Sequence, residues 1–146
     1  MELDLTDIGD NEQATESLRK WCEAIGYRVR ENDEGGNFML QGERRWILSV
    51  KASRTENHRI VATCIFRTNP EAMGRDEWLK FLNKINTDYN VCKFCLNDSD
   101  DFEIQYNLQF LEKLPPRMFR NFISYADGTL GIVLDRHRDV FGTALQ

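Results

Sequence analysis

The sequence has no apolar run approaching the ~20 residues that a membrane-spanning helix needs, so no such helix is expected. Its opening residues, MELDLTDIGDNEQ, are acidic and lack the basic start and apolar stretch of a secretory leader. The expected location is therefore the cytoplasm. Positive charge is in short supply: 19 Lys and Arg stand against 24 Asp and Glu, for a net charge of −5. Such a balance is poorly suited to neutralising phosphate backbones or to docking on anionic lipid. Neither nucleic acid nor a membrane is an expected partner.

Signatures of chemistry are missing too. There is no GxxxxGK[ST] or GxGxxG phosphate cradle and no GxSxG elbow. Gly35-Gly36 reads as a turn that needs positive φ. Histidine occurs only twice, at His58 and His137, and neither has a recognisable nucleophile partner. The carboxylates alternate outward or cluster in turns, so no catalytic pair stands out. Asp98-Ser99-Asp100 begins like a calcium loop, but Phe102 and Glu103 fall where a third oxygen ligand and the glycine belong. It reads as an acidic hairpin tip.

The four cysteines, Cys22, Cys64, Cys92 and Cys95, are expected to be free thiols. Cys22 sits on a helical stripe and Cys64 in an apolar strand, so both read as small buried hydrophobes. Cys92-Lys93-Phe94-Cys95 has CxxC spacing. A redox pair needs its first thiolate at a helix N-terminus, whereas this motif falls in a strand, where residues three apart point to opposite faces. A zinc site would need a second CxxC or a histidine pair. No catalytic residue, metal or cofactor is assigned.

What is present is a chain of 146 residues with 41% hydrophobic content, the length and composition of one globular domain spanning residues 1–146. Residues 1–10 are expected to be a loose acidic arm. A first helix is expected over 11–25, with Ala14, Leu18, Trp21, Cys22 and Ile25 on one stripe, an Asp10–Gln13 capping box and a stop at Gly26. Strands are expected over 27–31, 37–41, 44–52 and 59–67, the last apolar on both faces and so a central strand covered on both sides. Asn69-Pro70-Glu71 should open a second helix that ends over 86–90. Strands over 91–96 and 102–110 should form a hairpin. The second is the clearest element of all: Phe102, Ile104, Tyr106, Leu108 and Phe110 alternate with Glu103, Gln105, Asn107 and Gln109.

Pro115-Pro116 then starts a last helix over 116–141, with possible softening at Asp127-Gly128. The order α-β-β-β-β-α-β-β-α implies an α+β fold, an antiparallel β-sheet packed against helices. At 100° per residue, Phe119, Phe122, Ile123, Ala126, Leu130, Val133, Leu134 and Phe141 share one arc of the last helix, and Met118, Tyr125 and Ile132 extend it sideways to roughly 200°. Either the first two helices cover the excess, or a second subunit or partner does. Met118, Tyr125 and Ile132 are thus the candidate partner or dimer surface. Arg28, Arg30, Arg44 and Arg45, with Lys51, Arg54 and Arg59, concentrate positive charge in the early strands. They read either as a solvated stripe that discourages edge pairing or as an anchor for an acidic partner segment.

The segment WLKFLNKINTDYNVCKFCLNDSDDFEIQYNL (Trp78–Leu108) carries a helix ending in Asn83-x-x-Asn86, a short strand, an acidic turn and an alternating strand. Together with the earlier Gly26-Tyr27-Arg28-Val29 step and the later long helix, this resembles the YbjN-type family of bacterial sensory-transduction regulators over residues 12–141. That family is similar in fold to type III secretion chaperones, which are small, acidic, cytoplasmic α+β dimers that hold a client. The resemblance implies a non-enzymatic protein-binding module, chaperone-like or adaptor-like, that forms a homodimer. Asn83 and Asn86 match the asparagine pair and read first as hydrogen-bonding residues of a cap or loop. A small-molecule sensor is the alternative, with a pocket between sheet and helices that Trp21, Trp46, Trp78 and Phe94 could line. A thiol or metal enzyme centred on Cys92 and Cys95 is the third reading.

Overall fold

The computed structural model describes residues 1–6, 10–30, 37–41, 47–54, 58–89, 92–111 and 113–146, without the side chains of 47, 53 and 54. Asp10 caps the first helix, α1 (Asn11–Ala24). Its carboxylate accepts from the Gln13 N–H at 2.8 Å, and the Gln13 side chain accepts from the Asp10 N–H at 3.1 Å. Two helix-end donors are satisfied at once, as the sequence expects. Gly26 follows the helix at φ +103°, a conformation that costs any side-chain-bearing residue strain.

Six strands form one antiparallel sheet in the order β1-β2-β3-β4-β6-β5. They are β1 (Val29–Arg30), β2 (Phe38–Gln41), β3 (Ile47–Arg54), β4 (His58–Phe66), β5 (Cys92–Leu96) and β6 (Phe102–Phe110). Because directly paired residues share a face, the register draws straight rows across the sheet. Phe38, Val50, Ala62, Tyr106 and Cys92 form one row. Arg30, Met39, Ser49, Thr63, Gln105 and Lys93 form its neighbour on the opposite face. The first row is apolar and belongs largely to the core; the second is mostly polar and half-buried or exposed.

The helices α1, α2 (Arg75–Asp88), α3 (Pro116–Arg136) and α4 (Arg138–Ala144) share their core with the first face. Trp78 of α2 stacks on Phe102 at 5.4 Å, and Phe102 meets Phe141 of α4 at 5.2 Å. Truncating any one of these rings to alanine should cost about 3–5 kcal/mol.

The α+β architecture and its element order agree with expectation, and four details differ. First, β4 is central but its second face is only partly covered: Ile60, Ala62 and Cys64 enter the core, and on the other face Val61 is 6% exposed whereas Ile65 is 52% exposed. Second, α2 starts later than Asn69. The Asn69 carbonyl accepts from Ala72 at 3.1 Å and Met73 at 3.2 Å, forming a single turn, and Gly74 then restarts the chain as the true helix cap.

Third, the last helix breaks at His137, whose backbone angles (φ −115°, ψ 30°) leave the helical range. The His137 ring lies against Phe81 and Tyr89, and the break folds Phe141 back onto Trp78 and Phe102. Fourth, the N-terminal arm is tied down. Leu3 exchanges two backbone hydrogen bonds of 2.8 Å with Leu114, Leu5 is fully buried, and the Trp21 indole N–H donates to the Met1 carbonyl at 2.9 Å. The alternation of leucine with acid in this stretch lets one side bury while the other stays wet.

Two helix side chains complete the sheet's backbone hydrogen bonding. Ala52 lies beyond the end of β2, and the Thr15 hydroxyl of α1 accepts from its N–H at 3.0 Å, while its single proton lies between the Asn11 carbonyl at 2.8 Å and the Ala52 carbonyl at 3.3 Å. At the other edge, the Asn86 amide donates to the Phe94 carbonyl at 2.9 Å and accepts from the Phe94 N–H at 2.9 Å. Asn86 therefore imitates a neighbouring strand at one residue of β5 and blocks that residue from pairing with another chain.

Candidate functional site

The helix α3 carries both candidate sites, one on each flank. At 100° per residue, the buried residues Phe119, Ala126, Leu130 and Val133 fall within roughly 60° and face the core. Met118, Tyr125 and Ile132 lie on one side of that stripe. They are 44%, 53% and 46% exposed, so neither α1 nor α2 covers them. Below Met118 and Tyr125 runs an apolar groove of ≈ 380 Å³ between α3 and β6, lined also by Tyr106, Leu108, Asn121 and Phe122. Tyr106 forms its floor. Its hydroxyl is buried without a hydrogen-bond partner among the described residues, and burial first, then the acidic groups Cys92, Cys64 and Asp127 around it, hold its pKa far above the ordinary tyrosine range.

Arg120, Ile123, Ser124 and Asp127 lie on the opposite flank. They form one wall of a second cleft, of ≈ 360 Å³. The segment Ile25–Arg28, where α1 hands over to β1, forms the facing wall, and Gln41 at the end of β2 closes it. The Arg120 guanidinium donates to the Ile25 carbonyl at 2.5 Å, which fixes the side chain across the joint. Arg28 and Arg120 are exposed, whereas Asp127 is only 3% exposed. The Gln41 side-chain oxygen is shut off from solvent and, among the described residues, accepts no hydrogen bond. Cations thus stand at the mouth and acceptors at the floor.

The structure distributes the other sequence candidates differently. Of the basic residues, Arg28 lines the second cleft, Arg30 is exposed on β1 opposite Met39, and Arg44 and Arg45 lie outside the described residues. Trp21, Trp78 and Phe94 are core residues and line neither cavity; Trp46 lies outside the described residues. Asn86 clamps β5 as described, while the Asn83 side chain is exposed and its backbone carbonyl accepts from the Thr87 hydroxyl.

Cys92 pairs with Tyr106 on the core face, and Cys95 pairs with Glu103 on the other, so the two thiols point apart. Burial pushes the Cys92 thiol up to about 11 and raises Cys95 as well. Raised thiol pKa values are the reverse of what a thiolate nucleophile needs. The Asp98–Asp100 tip is a hairpin turn: the Asn97 side chain accepts from the N–H groups of Ser99 and Asp101 at 2.9 Å, and Asp100 pairs with Arg75. Among the described residues, no three His, Cys, Asp or Glu gather as a metal site would require, and no helix is long and apolar enough to cross a membrane.

Arg120, Ser124, Asp127 and Gln41 were not visible as a site from sequence. The one available signal was Asp127, a carboxylate set among the apolar positions of α3.

Among curated proteins no relative matches. Among solved structures, the chain is similar to one titled "Crystal structure of YbjN, a putative transcription regulator from E. coli", with a TM-score of 0.64 and 17% identity over 90% of this chain and 94% of that one. At that identity the likeness speaks for the fold. The sequence model of the YbjN family, described as "Putative bacterial sensory transduction regulator", matches residues 14–130, and the chain belongs to that family.

Proposed function

We propose that the chain is a non-enzymatic cytoplasmic regulator that works by binding protein, with a second copy of itself as the first partner. The observation that carries this reading is the uncovered row of Met118, Tyr125 and Ile132 beside an apolar groove. These residues recur at heptad spacing along α3, which is the spacing that lets a helix seam pack against another helix. Two copies of α3 meeting across a two-fold axis would bury both rows together. A chaperone-like hold on a client helix would use the same groove. The acidic net charge fits a regulator that acts through protein contacts rather than by gripping a phosphate backbone.

Sedimentation or light scattering at about 50 μM, where an interface of ordinary affinity is populated, should give a dimer. Tyr125→Arg and Met118→Glu should give monomers that still unfold cooperatively, at midpoints lowered only by the lost association, because both side chains point to solvent in the single chain. A parent that stays monomeric, or charged variants that still dimerise, would overturn the reading.

A further inference from the structure

We propose that the cleft between α3 and the α1–β1 joint binds a small organic anion whose other end carries N–H donors. This goes beyond the protein-binding reading, uses the opposite flank of α3, and stands or falls separately. The cleft's ≈ 360 Å³ lies within the range of small-ligand sites.

Its charges are sorted by depth. Arg28 and Arg120 stand exposed at the mouth, and Arg120 is braced by the Ile25 carbonyl. A guanidinium has five N–H donors in a fixed fork, so the bond to Ile25 leaves donors for a carboxylate or phosphate. The floor is the reverse. The Gln41 oxygen is buried and accepts no hydrogen bond among the described residues, and the nearly buried carboxylate of Asp127 shares the wall with the Ser124 hydroxyl. For the Gln41 oxygen, burial without a donor is costly, and an amino group brought in by a ligand would relieve that cost. A purely anionic ligand would suit the mouth and be repelled by Asp127. A purely cationic one would suit the floor and be repelled by the arginines. The arrangement therefore selects a molecule with both ends, inserted amine first.

The chemistry is shared by amino acids and by aminated nucleotides, so both are used as probes on the full chain. AMP and L-glutamate are titrated by calorimetry and by ¹H–¹⁵N spectra, with adenosine and inorganic phosphate as the single-ended controls. At least one of the two bifunctional probes should bind and shift Gly26, Gln41 and Ser124 amides. Each single-ended control should bind about tenfold or more weakly. Arg28→Ala, an exposed change that leaves the fold intact, should weaken the bound probe about tenfold. Gln41→Leu should weaken it while inorganic phosphate is unaffected. Tyr125→Arg should leave probe binding unchanged, which separates this site from the groove. The proposal is overturned if neither probe moves the cleft amides at up to about 10 mM, if phosphate alone binds as well as either probe, or if Arg28→Ala binds like the parent.

Discussion

Replacing Asn86 with alanine isolates the clamp between α2 and the edge of the sheet. The change removes two hydrogen bonds of 2.9 Å, one to each polar group of the Phe94 backbone. A net hydrogen bond is worth about 0.5–1.5 kcal/mol, and a buried group left without a partner costs more. The bonds are only part-buried, so water recovers some of the loss. The expected destabilisation is about 2 kcal/mol in urea unfolding. For a chain of this length that corresponds to a fall in thermal midpoint of roughly 4–8 °C.

Two companion variants sharpen the test. Asn83→Ala removes an exposed side chain and should stay within about 0.5 kcal/mol of the parent. Asn86→Asp keeps an acceptor for the Phe94 N–H but sets a carboxylate oxygen against the Phe94 carbonyl, so at neutral pH it should rescue nothing. Hydrogen exchange at Phe94 should accelerate in both Asn86 variants. If Asn86→Ala is as stable as the parent, or if Asn83→Ala is equally damaging, the clamp is not what holds this edge.

Leu5→Ala should cost about 2–5 kcal/mol, because the side chain is fully buried and leaves a cavity; a loss under about 0.5 kcal/mol, the scale of surface changes, would mean the arm is not docked in solution. Stability should also decline in alkali. Burial raises the folded thiols of Cys22, Cys64 and Cys92 above the ordinary 9.0, with Cys64 reaching about 12. The folded chain keeps protons that the unfolded chain releases, so stability present below about pH 9 drains away as pH rises toward 12, by up to about 1.4 kcal/mol per pH unit for each thiol. Urea midpoints at pH 8 and pH 10 should fall less steeply for Cys64→Ala than for the parent, and parallel declines would refute the assignment.

How far the sequence foretold the molecule depended on whether the decisive interaction was local. β6 was legible to the residue because one face is buried and one is wet, so its alternation has no competing reading. The Asp10–Gln13 cap was legible because both its bonds close within one helical turn. Asn69-Pro70 misled because an N-cap and a lone turn use the same signal, and Gly74 alone decided between them. The break at His137 was hidden because Phe141 remains on the apolar arc whether or not the helix continues. At the break the His137 ring meets Phe81 and Tyr89, contacts far away in sequence. The cleft was hidden for the same reason: its walls come from the end of α1, the end of β2 and the middle of α3.

The over-wide apolar surface of α3 acquires a geometric cause once all four helices share one side of the sheet. A helix resting on a sheet needs an apolar stripe of only about 100°. In α3 the fully buried apolar residues, Phe119, Ile123, Ala126, Leu130 and Val133, fit within that width. On one shoulder, Met118, Tyr125 and Ile132 continue the apolar character into solvent. On the other, Arg120, Ser124 and Asp127 replace it with polar and charged groups, and the two shoulders lie roughly 130° apart at 100° per residue. Structural need accounts for the stripe and for neither shoulder. A helix evolved only to cover the sheet would place interchangeable polar residues on both sides. Here one shoulder is greasy beside a groove, and the other carries a nearly buried carboxylate beside a cleft with arginines at its mouth. One rigid element therefore carries an exposed apolar row beside a groove on one shoulder and a cleft with charged walls on the other.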